Sequence, residues 1–398
     1  MEPSQKGYPK AGLIILICLF IAALEGYDIQ AFGVAAPRMV KELGLSPGQQ
    51  GWAAAAAMIG MLVGAFAGGW ISDRVGRRPV LVASVAAFGV FSLATALAYD
   101  YQTLLLARLI TGLGFGGAMA NLITIATEIS APGRRTATTT LMFCGLPAGG
   151  AAVALLARLG GEALDWRMLF VIGGLIPVLL APIVYFLLPE TKPQVAAGTD
   201  RRYMAALFGD GRAAATLLIW TAFVLIVLVL NLLLNWLPTL VTAKGLTAGD
   251  GATAALAFNL SGVVGAVVAG LLVDRFGPRW TLTLFYAVLA AALYVQSTSL
   301  GLAPVLALAA LSGFMVNGAL FSLYGMTPAL YPPQVRAAGA GAAVGFGRLG
   351  AIIGPLIAGE LRQAGYSGAQ VFQVMIPIVI AGGLATLALS YVGRPSET

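Results

Sequence analysis

Histidine is absent from this 398-residue chain, so no imidazole can serve as general base, proton relay or metal ligand. Cysteine occurs twice, at Cys18 and Cys144, with no spacing that suits a metal or a redox pair. Both read as helix-packing residues. Charge is scarce as well: 10% of residues are Asp, Glu, Lys or Arg, against about 25% in soluble domains. A Walker-type phosphate loop is missing, which argues against ATP-driven work. Gly345-Phe-Gly347-Arg-Leu-Gly350 matches G-x-G-x-x-G but sits in an apolar run with no strand before it, so it is no dinucleotide fingerprint. No basic patch is interleaved with aromatics, and the net charge of +7 therefore does not point to nucleic acid. An embedded nucleophile–base pair or metal constellation is also lacking. The chain reads as a non-enzyme without a cofactor.

Apolar sequence fills the space that charge leaves. Hydrophobic residues make up 59% of the chain and the mean hydropathy is +0.90. Repeated runs of about 20 residues are long enough to cross a bilayer as helices. They fall near 11–36, 50–71, 79–98, 103–127, 138–158, 167–187, 213–240, 250–272, 280–298, 303–328, 337–358 and 370–392. These twelve spans predict an all-α polytopic membrane protein with both termini on one side. A cytoplasmic N-terminus gives that side fifteen of the Lys and Arg residues and leaves six, Arg38, Lys41, Arg158, Arg167, Lys244 and Arg362, on the other. This bias orients the chain by the positive-inside rule. Lys6 and Lys10 before the run Leu13–Leu24 imitate a secretory signal, but eleven further spans make it a retained first helix. The polar stretch from Pro189 to Arg212 divides the chain into 1–188, a linker 189–212 and 213–398, and its Tyr203–Phe208 portion suits a short surface helix.

The two halves are copies. Gly69-Trp-Ile-Ser-Asp73-Arg74-Val-Gly76-Arg-Arg78 recurs 201 residues later as Gly270-Leu-Leu-Val-Asp274-Arg275-Phe-Gly277-Pro-Arg279. The same offset relates Pro37 to Pro238, Pro132 to Pro333 and Arg135 to Arg336. Parallel repeats of this kind hold substrate between them near the bilayer midplane. The decapeptide resembles the loop between the second and third helices of the major facilitator superfamily, with its weaker echo in the second half. That resemblance implies two pseudo-symmetric six-helix bundles. Its glycines suit a tight turn and close helix approach, and Asp73 can pair with arginines or cap a helix. Gly69, Asp73, Arg74, Gly76, Arg78, Asp274, Arg275, Arg279 and Arg336 are therefore candidates for gating or structure. Glu128 with Arg134 or Arg135 makes a second clasp; Ala329 stands where the second half would carry the matching acid.

Four ionisable groups lie well inside spans, where charge is expensive and marks pathways or ligand sites: Glu25, Asp28, Arg108 and Arg348. Without histidine, proton coupling requires a carboxylate, and the embedded choices are Asp28 and Glu25. They are three residues apart and share a helix face. Asp28 is ranked first, with Arg108 its neighbour by depth. Arg348 lies near the midplane with no acid predicted in the spans of its own half. A guanidinium there suits a bidentate contact with a substrate carboxylate. Gln30, Asn231, Asn235, Asn121 and Asn317 are embedded amides, and Tyr27, Trp236, Phe321, Tyr324 and Phe346 can stack on an aromatic ring.

Leu24-Glu25-Gly26-Tyr27-Asp28-Ile29-Gln30 resembles the acidic first-helix motif of the aromatic acid:proton symporters within the superfamily, with Glu25 where many members carry Asp. Cys144-Gly-Leu-Pro147, Asn235-Trp236-Leu-Pro238 and Gly347-Arg348-Leu-Gly350-Ala-Ile-Ile-Gly354-Pro355 extend the likeness toward the bacterial 3-(3-hydroxyphenyl)propionate permeases in that family. The resemblance implies proton-coupled import of a small aromatic carboxylate across a bacterial inner membrane by a functional monomer. A drug or organic-anion exporter on the same fold, or a membrane receptor for aromatic acids, are the alternatives.

Overall fold

The computed structural model describes residues 11–129, 138, 141–188, 207–209, 211–331 and 336–392. Twelve long helices run through them in order: α1 Ala11–Leu43, α2 Pro47–Val75, α3 Arg77–Ala96, α4 Tyr101–Ile129, α5 Gly145–Gly160, α6 Trp166–Leu187, α7 Ala213–Thr242, α8 Ala248–Phe276, α9 Pro278–Thr298, α10 Leu302–Met326, α11 Arg336–Gln363 and α12 Gly368–Val392. Eleven of them are long and apolar enough to cross a membrane. The other, α4, is 29 residues long and contains Arg108. Helices are the expected solution, because each satisfies its backbone polar groups internally where no water can.

Several helices outrun the apolar spans. α1 continues through Pro37 to Leu43, and α7 continues through Pro238 to Thr242. Proline does not end a helix when packing around it holds the chain, as happens inside membrane proteins. α11 likewise extends to Gln363, so Glu360 falls within it. The proposed surface helix at 203–208 lies outside the described residues except for Leu207, which is buried, and Phe208, which packs edge-on against Trp220.

The duplication is visible in packing. α1 packs on α5 as α7 does on α11; α2 on α4 as α8 on α10; α3 on α6 as α9 on α12. Equivalent close approaches carry it to the atomic level. A Cβ added at Gly64 would stand 2.2 Å from the Leu113 carbonyl oxygen, and one at Gly265 would stand 2.2 Å from that of Phe314. Gly112 against Ala57 (2.0 Å) is matched by Gly313 against Phe258 (2.1 Å). Small residues at these crossings let backbones touch, which is how membrane helices gain packing energy without a hydrophobic drive.

The halves meet through α1 and α7, α2 and α11, and α5 and α8. The far end, opposite the start of α1, is sealed. There Gln50 donates to Thr239 (3.2 Å), Gly48 N–H to Gln363 (3.3 Å), and Gly51 lies directly against Gly359. One layer deeper, Gln30 donates to Leu234 O (3.0 Å) and accepts from Asn259 (2.9 Å). A further contact between the halves, Arg348 to Met61, lies at mid-depth.

The charged decapeptides sit at the near end. Gly76 and Gly277 hold φ of +108° and +80°, so the expected turn is formed at both. The expected close approach is not formed at Gly69 or Gly270, where an added Cβ would meet nothing within 4 Å. Asp73 and Asp274 are exposed, and neither forms an ion pair among the described residues. The arginines rest on aromatic faces instead: Arg74 on Trp70 (3.3 Å), Arg78 on Tyr185 (4.7 Å), Arg275 on Phe276 (5.5 Å), and Arg279 on Tyr391 (4.4 Å). Arg336 donates to Tyr331 O (3.4 Å). Arg135 lies outside the described residues, and Glu128 is placed only as part of α4.

Candidate functional site

Between the halves at mid-depth lies a cavity of about 190 Å³. An engineered apolar cavity of about 150 Å³ admits benzene, so the space suits one aromatic ring with short substituents. α1 contributes Glu25, Gly26 and Ile29, and α2 contributes Met58 and Met61. Met119, Phe143, Leu146 and Pro147 complete the wall from the first half. The second half supplies Val227, Leu230, Asn231 and Leu234 from α7, Asn259 from α8, and Asn317, Leu320, Phe321 and Tyr324 from α10. Val344, Gly347, Arg348 and Ala351 on α11 close it. Apolar walls with a few convergent polar groups are the usual make-up of a small-ligand site.

The two polar poles of the cavity differ in how they are held. Glu25 is 4% exposed and has no hydrogen-bond partner among the described residues. Arg348 is half-buried, reaches the Met61 sulfur with Nη1, and has no carboxylate within ion-pair distance among the described residues. A thioether is a weak acceptor, so this contact yields readily to a carboxylate. Phe143 stacks with Tyr324 at 6.1 Å across the two halves, and Phe321 sits edge-on to Tyr324 at 5.9 Å.

Asp28 turns away from the cavity. Its Oδ2 accepts from Arg108 Nη1 at 2.5 Å and its Oδ1 from Ser92 at 2.9 Å. Arg108 is 0% exposed and Asp28 2%, so the pair is fully desolvated. Phe32 and Phe170 flank the guanidinium at 5.1 and 5.9 Å, while Nε and Nη2 find no hydrogen-bond acceptor. Aromatic faces supply part of the missing stabilisation for those donors.

The residues expected around a substrate therefore divide. Arg348, Asn231, Asn317 and Tyr324 border the cavity; Arg108, Gln30, Asn235, Tyr27, Trp236 and Phe346 do not. Arg108 is occupied by Asp28, and Gln30 ties the halves together beyond the cavity. Tyr27 donates to Leu169 O (3.1 Å), Trp236 to Pro355 O (3.1 Å) and Asn235 to Asn231 O (2.9 Å), each inside helix packing. Phe346 is 41% exposed and stacks on Trp220 at 3.7 Å. The residues not anticipated are Asn259, Met58, Met61, Met119 and Phe143. Only Asn259 offered a signal, as one more amide in an apolar span.

A closed far end and a central cavity shared by repeated halves are the architecture of a secondary transporter. The profile of the Major Facilitator Superfamily matches residues 18–295 and 246–398, and the chain belongs to that family. It is 37% identical to the 3-(3-hydroxy-phenyl)propionate transporter of Escherichia coli (strain K12), over 95% of this chain and 93% of that protein. It is 33% identical to the 4-hydroxybenzoate transporter PcaK of Pseudomonas aeruginosa, over 96% and 93% respectively. These relatives place it with the bacterial aromatic acid transporters of the superfamily. The fold matches a bacterial homologue of the human lysosomal transporter Spinster, solved in an inward-facing, occupied conformation. There the TM-score is 0.79 at 17% identity, covering 98% of this chain and 100% of that one. The D-xylose-proton symporter gives 0.74 at 19%, covering 96% and 97%.

Proposed function

We propose that this protein imports an aromatic carboxylate with protons across a bacterial inner membrane by alternating access, with both termini in the cytoplasm. The reading is carried by one observation: Glu25 and Arg348, which among the described residues have no hydrogen-bond partner and no ion-pair partner respectively, border the same ring-sized cavity between the halves. Relatives whose names specify hydroxyphenylpropionate, hydroxybenzoate, gallate, gentisate and benzoate transport support the substrate class. The moving bodies are 1–188 and 213–398, joined by the linker 189–212. One chain is the transport unit, since a single chain supplies both walls of the cavity. With the N-terminus cytoplasmic, the sealed far end is the outside, and the described state faces inward.

In the outward-open state a proton on Glu25 and a carboxylate on Arg348 together neutralise the site. Closure then buries fewer uncompensated charges and is less costly. Opening inward releases both, and Met61 takes the guanidinium again. The order of the two carboxylates is thereby reversed from the sequence expectation: Glu25 carries the proton, and Asp28 with Arg108 forms a fixed clasp of α1 on α4. The decapeptides at the near end act when that end closes.

Uptake into proteoliposomes tests this reading. Benzoate, hydroxybenzoates, phenylpropionate and hydroxyphenylpropionates are offered with and without an inward proton gradient. Gradient-stimulated uptake of at least one acid is the expected result. Extrusion alone supports an exporter instead, and binding without any flux a receptor.

A further inference from the structure

Three amides border the cavity from α7, α8 and α10, and their hydrogen bonds orient all three alike. Asn231 Nδ2 donates to Val227 O (3.0 Å) and Asn317 Nδ2 to Gly313 O (3.0 Å). Asn259 Nδ2 donates to Ala255 O (2.8 Å) and to Gln30 Oε1 (2.9 Å). A backbone carbonyl accepts only from the NH₂ end of an amide, so these contacts remove the usual ambiguity between oxygen and nitrogen. Each Oδ1 is the end left over, and no donor among the described residues occupies it. Asn235 supplies the contrast: its Oδ1 is sealed, unpartnered and away from the cavity.

Asn259 spends both amide hydrogens and Asn231 and Asn317 one each, while all three acceptor oxygens are left over, so the wall suits a ligand group that donates hydrogen bonds. A carboxylate cannot donate, and neither can an unsubstituted ring. A phenolic hydroxyl can. Asn259 lies seventeen residues from the near end of α8 and Asn231 eighteen from that of α7, while Arg348 lies twelve from that of α11. At 1.5 Å per residue the two amides stand ~8 Å further from the near end than the guanidinium. One benzene ring bearing an acid at one side and a hydroxyl at the other spans such a gap.

We infer that Asn231 and Asn259 form a hydroxyl-recognition subsite that selects phenolic over unsubstituted aromatic acids. The inference rests on the aromatic-carboxylate reading above and names the group that discriminates within it. A site built to bond a hydroxyl discriminates against ligands lacking it, because its own polar groups are then left unpaired.

Calorimetric titration of the purified protein tests it with three forms of one arylpropionate: unsubstituted, hydroxylated and methoxylated on the ring. The methoxy group matches the hydroxyl oxygen but donates nothing. The hydroxylated acid should bind at least about tenfold more tightly than both others. In Asn231→Leu and Asn259→Leu the ratio of hydroxylated to unsubstituted affinity should fall toward one. Equal affinity of the methoxylated and hydroxylated acids in the unaltered protein overturns the subsite while leaving aromatic-acid transport standing. Binding of none of the three overturns both. The methoxy comparison decides the matter even where a variant fails to fold.

Discussion

The two halves are the same scaffold with opposite chemistry. At the 201-residue offset, Gly26 pairs with Val227, Ile29 with Leu230, Met58 with Asn259, Met119 with Leu320, Phe143 with Val344, Leu146 with Gly347 and Pro147 with Arg348. Both members of all seven pairs line the cavity. The repeat thus determines which positions face the substrate, and substitutions since the duplication determine what they do there. The carboxylates lie in the first half: Glu25 and Asp28 are replaced by Ile226 and Val229 in the second. The second half gains Arg348 and Asn259 where the first has proline and methionine. A symmetric cavity would offer a substrate two equal ends. This one offers an acid against a cation and amides, and on the proposed reading that asymmetry orients the anion and separates it from the proton.

The sharpest test of that division exchanges one buried arginine for the other. Arg108 sits in the first half as part of a finished ion pair, and Arg348 in the second has no carboxylate partner among the described residues. Removing one member of a buried pair typically costs about 3–5 kcal/mol, since the other is left charged and unpaired. Arg108→Leu should therefore lower the melting temperature of the detergent-solubilised protein sharply or prevent its recovery. Arg348→Ala strands no such partner, so it should stay folded and inserted. Its substrate affinity should drop by more than tenfold, because a charge-assisted contact is worth about 2–5 kcal/mol. Arg348→Lys should recover only part, as the planar fork is lost. A fully stable Arg108→Leu, or an Arg348→Ala variant of unchanged affinity, breaks the assignment of structural cation to one half and ligand cation to the other.

The first half makes a second division, between its own two carboxylates. Glu25→Gln imitates a permanently protonated acid at the cavity wall. Gradient-driven accumulation should collapse, while counterflow of substrate down its own gradient should persist, since exchange requires no net proton release. Asp28→Asn leaves Arg108 without a counter-charge, so accumulation and counterflow should fall together and stability with them. If Glu25→Gln accumulates substrate normally and Asp28→Asn loses only accumulation, the coupling role belongs to Asp28.

Which half carried which charge was legible in the sequence, because hydropathy locates spans and spans assign depth. Glu25, Asp28, Arg108 and Arg348 could all be singled out on that basis. Which way a residue faces was not legible. Lipid, protein interior and an apolar cavity wall select the same side chains, so helices such as α7 carry no polar stripe to reveal an inner face. Tyr27, Trp236 and Phe346 looked like ring-binding residues for this reason, yet they pack into helices or onto Trp220. Asn259 shares no polar feature with its repeat equivalent, Met58, so the symmetry of the halves does not point to it. Aligning the halves at the offset and asking where a polar residue stands against an apolar one would have exposed Asn259 beside Arg348.

Glycines give the gentlest test, since here the halves should behave alike. Gly64 and Gly265 both face a carbonyl oxygen at 2.2 Å from an added Cβ. Gly64→Ala and Gly265→Ala should each destabilise by about 1–3 kcal/mol through overpacking, and the two values should agree if the scaffold is symmetric. Gly69 and Gly270 open their decapeptides but meet nothing within 4 Å in this state. Their alanine variants should stay within about 0.5 kcal/mol of the parent protein. Transport is the more telling readout for that pair. On the inward-facing reading proposed above, closure of the near end brings new surfaces together around the decapeptides. If they gate, Gly69→Ala slows uptake without moving the melting temperature. Unchanged uptake would leave the decapeptide only its turn, held by Gly76 and Gly277, and would remove Gly69 from the gate.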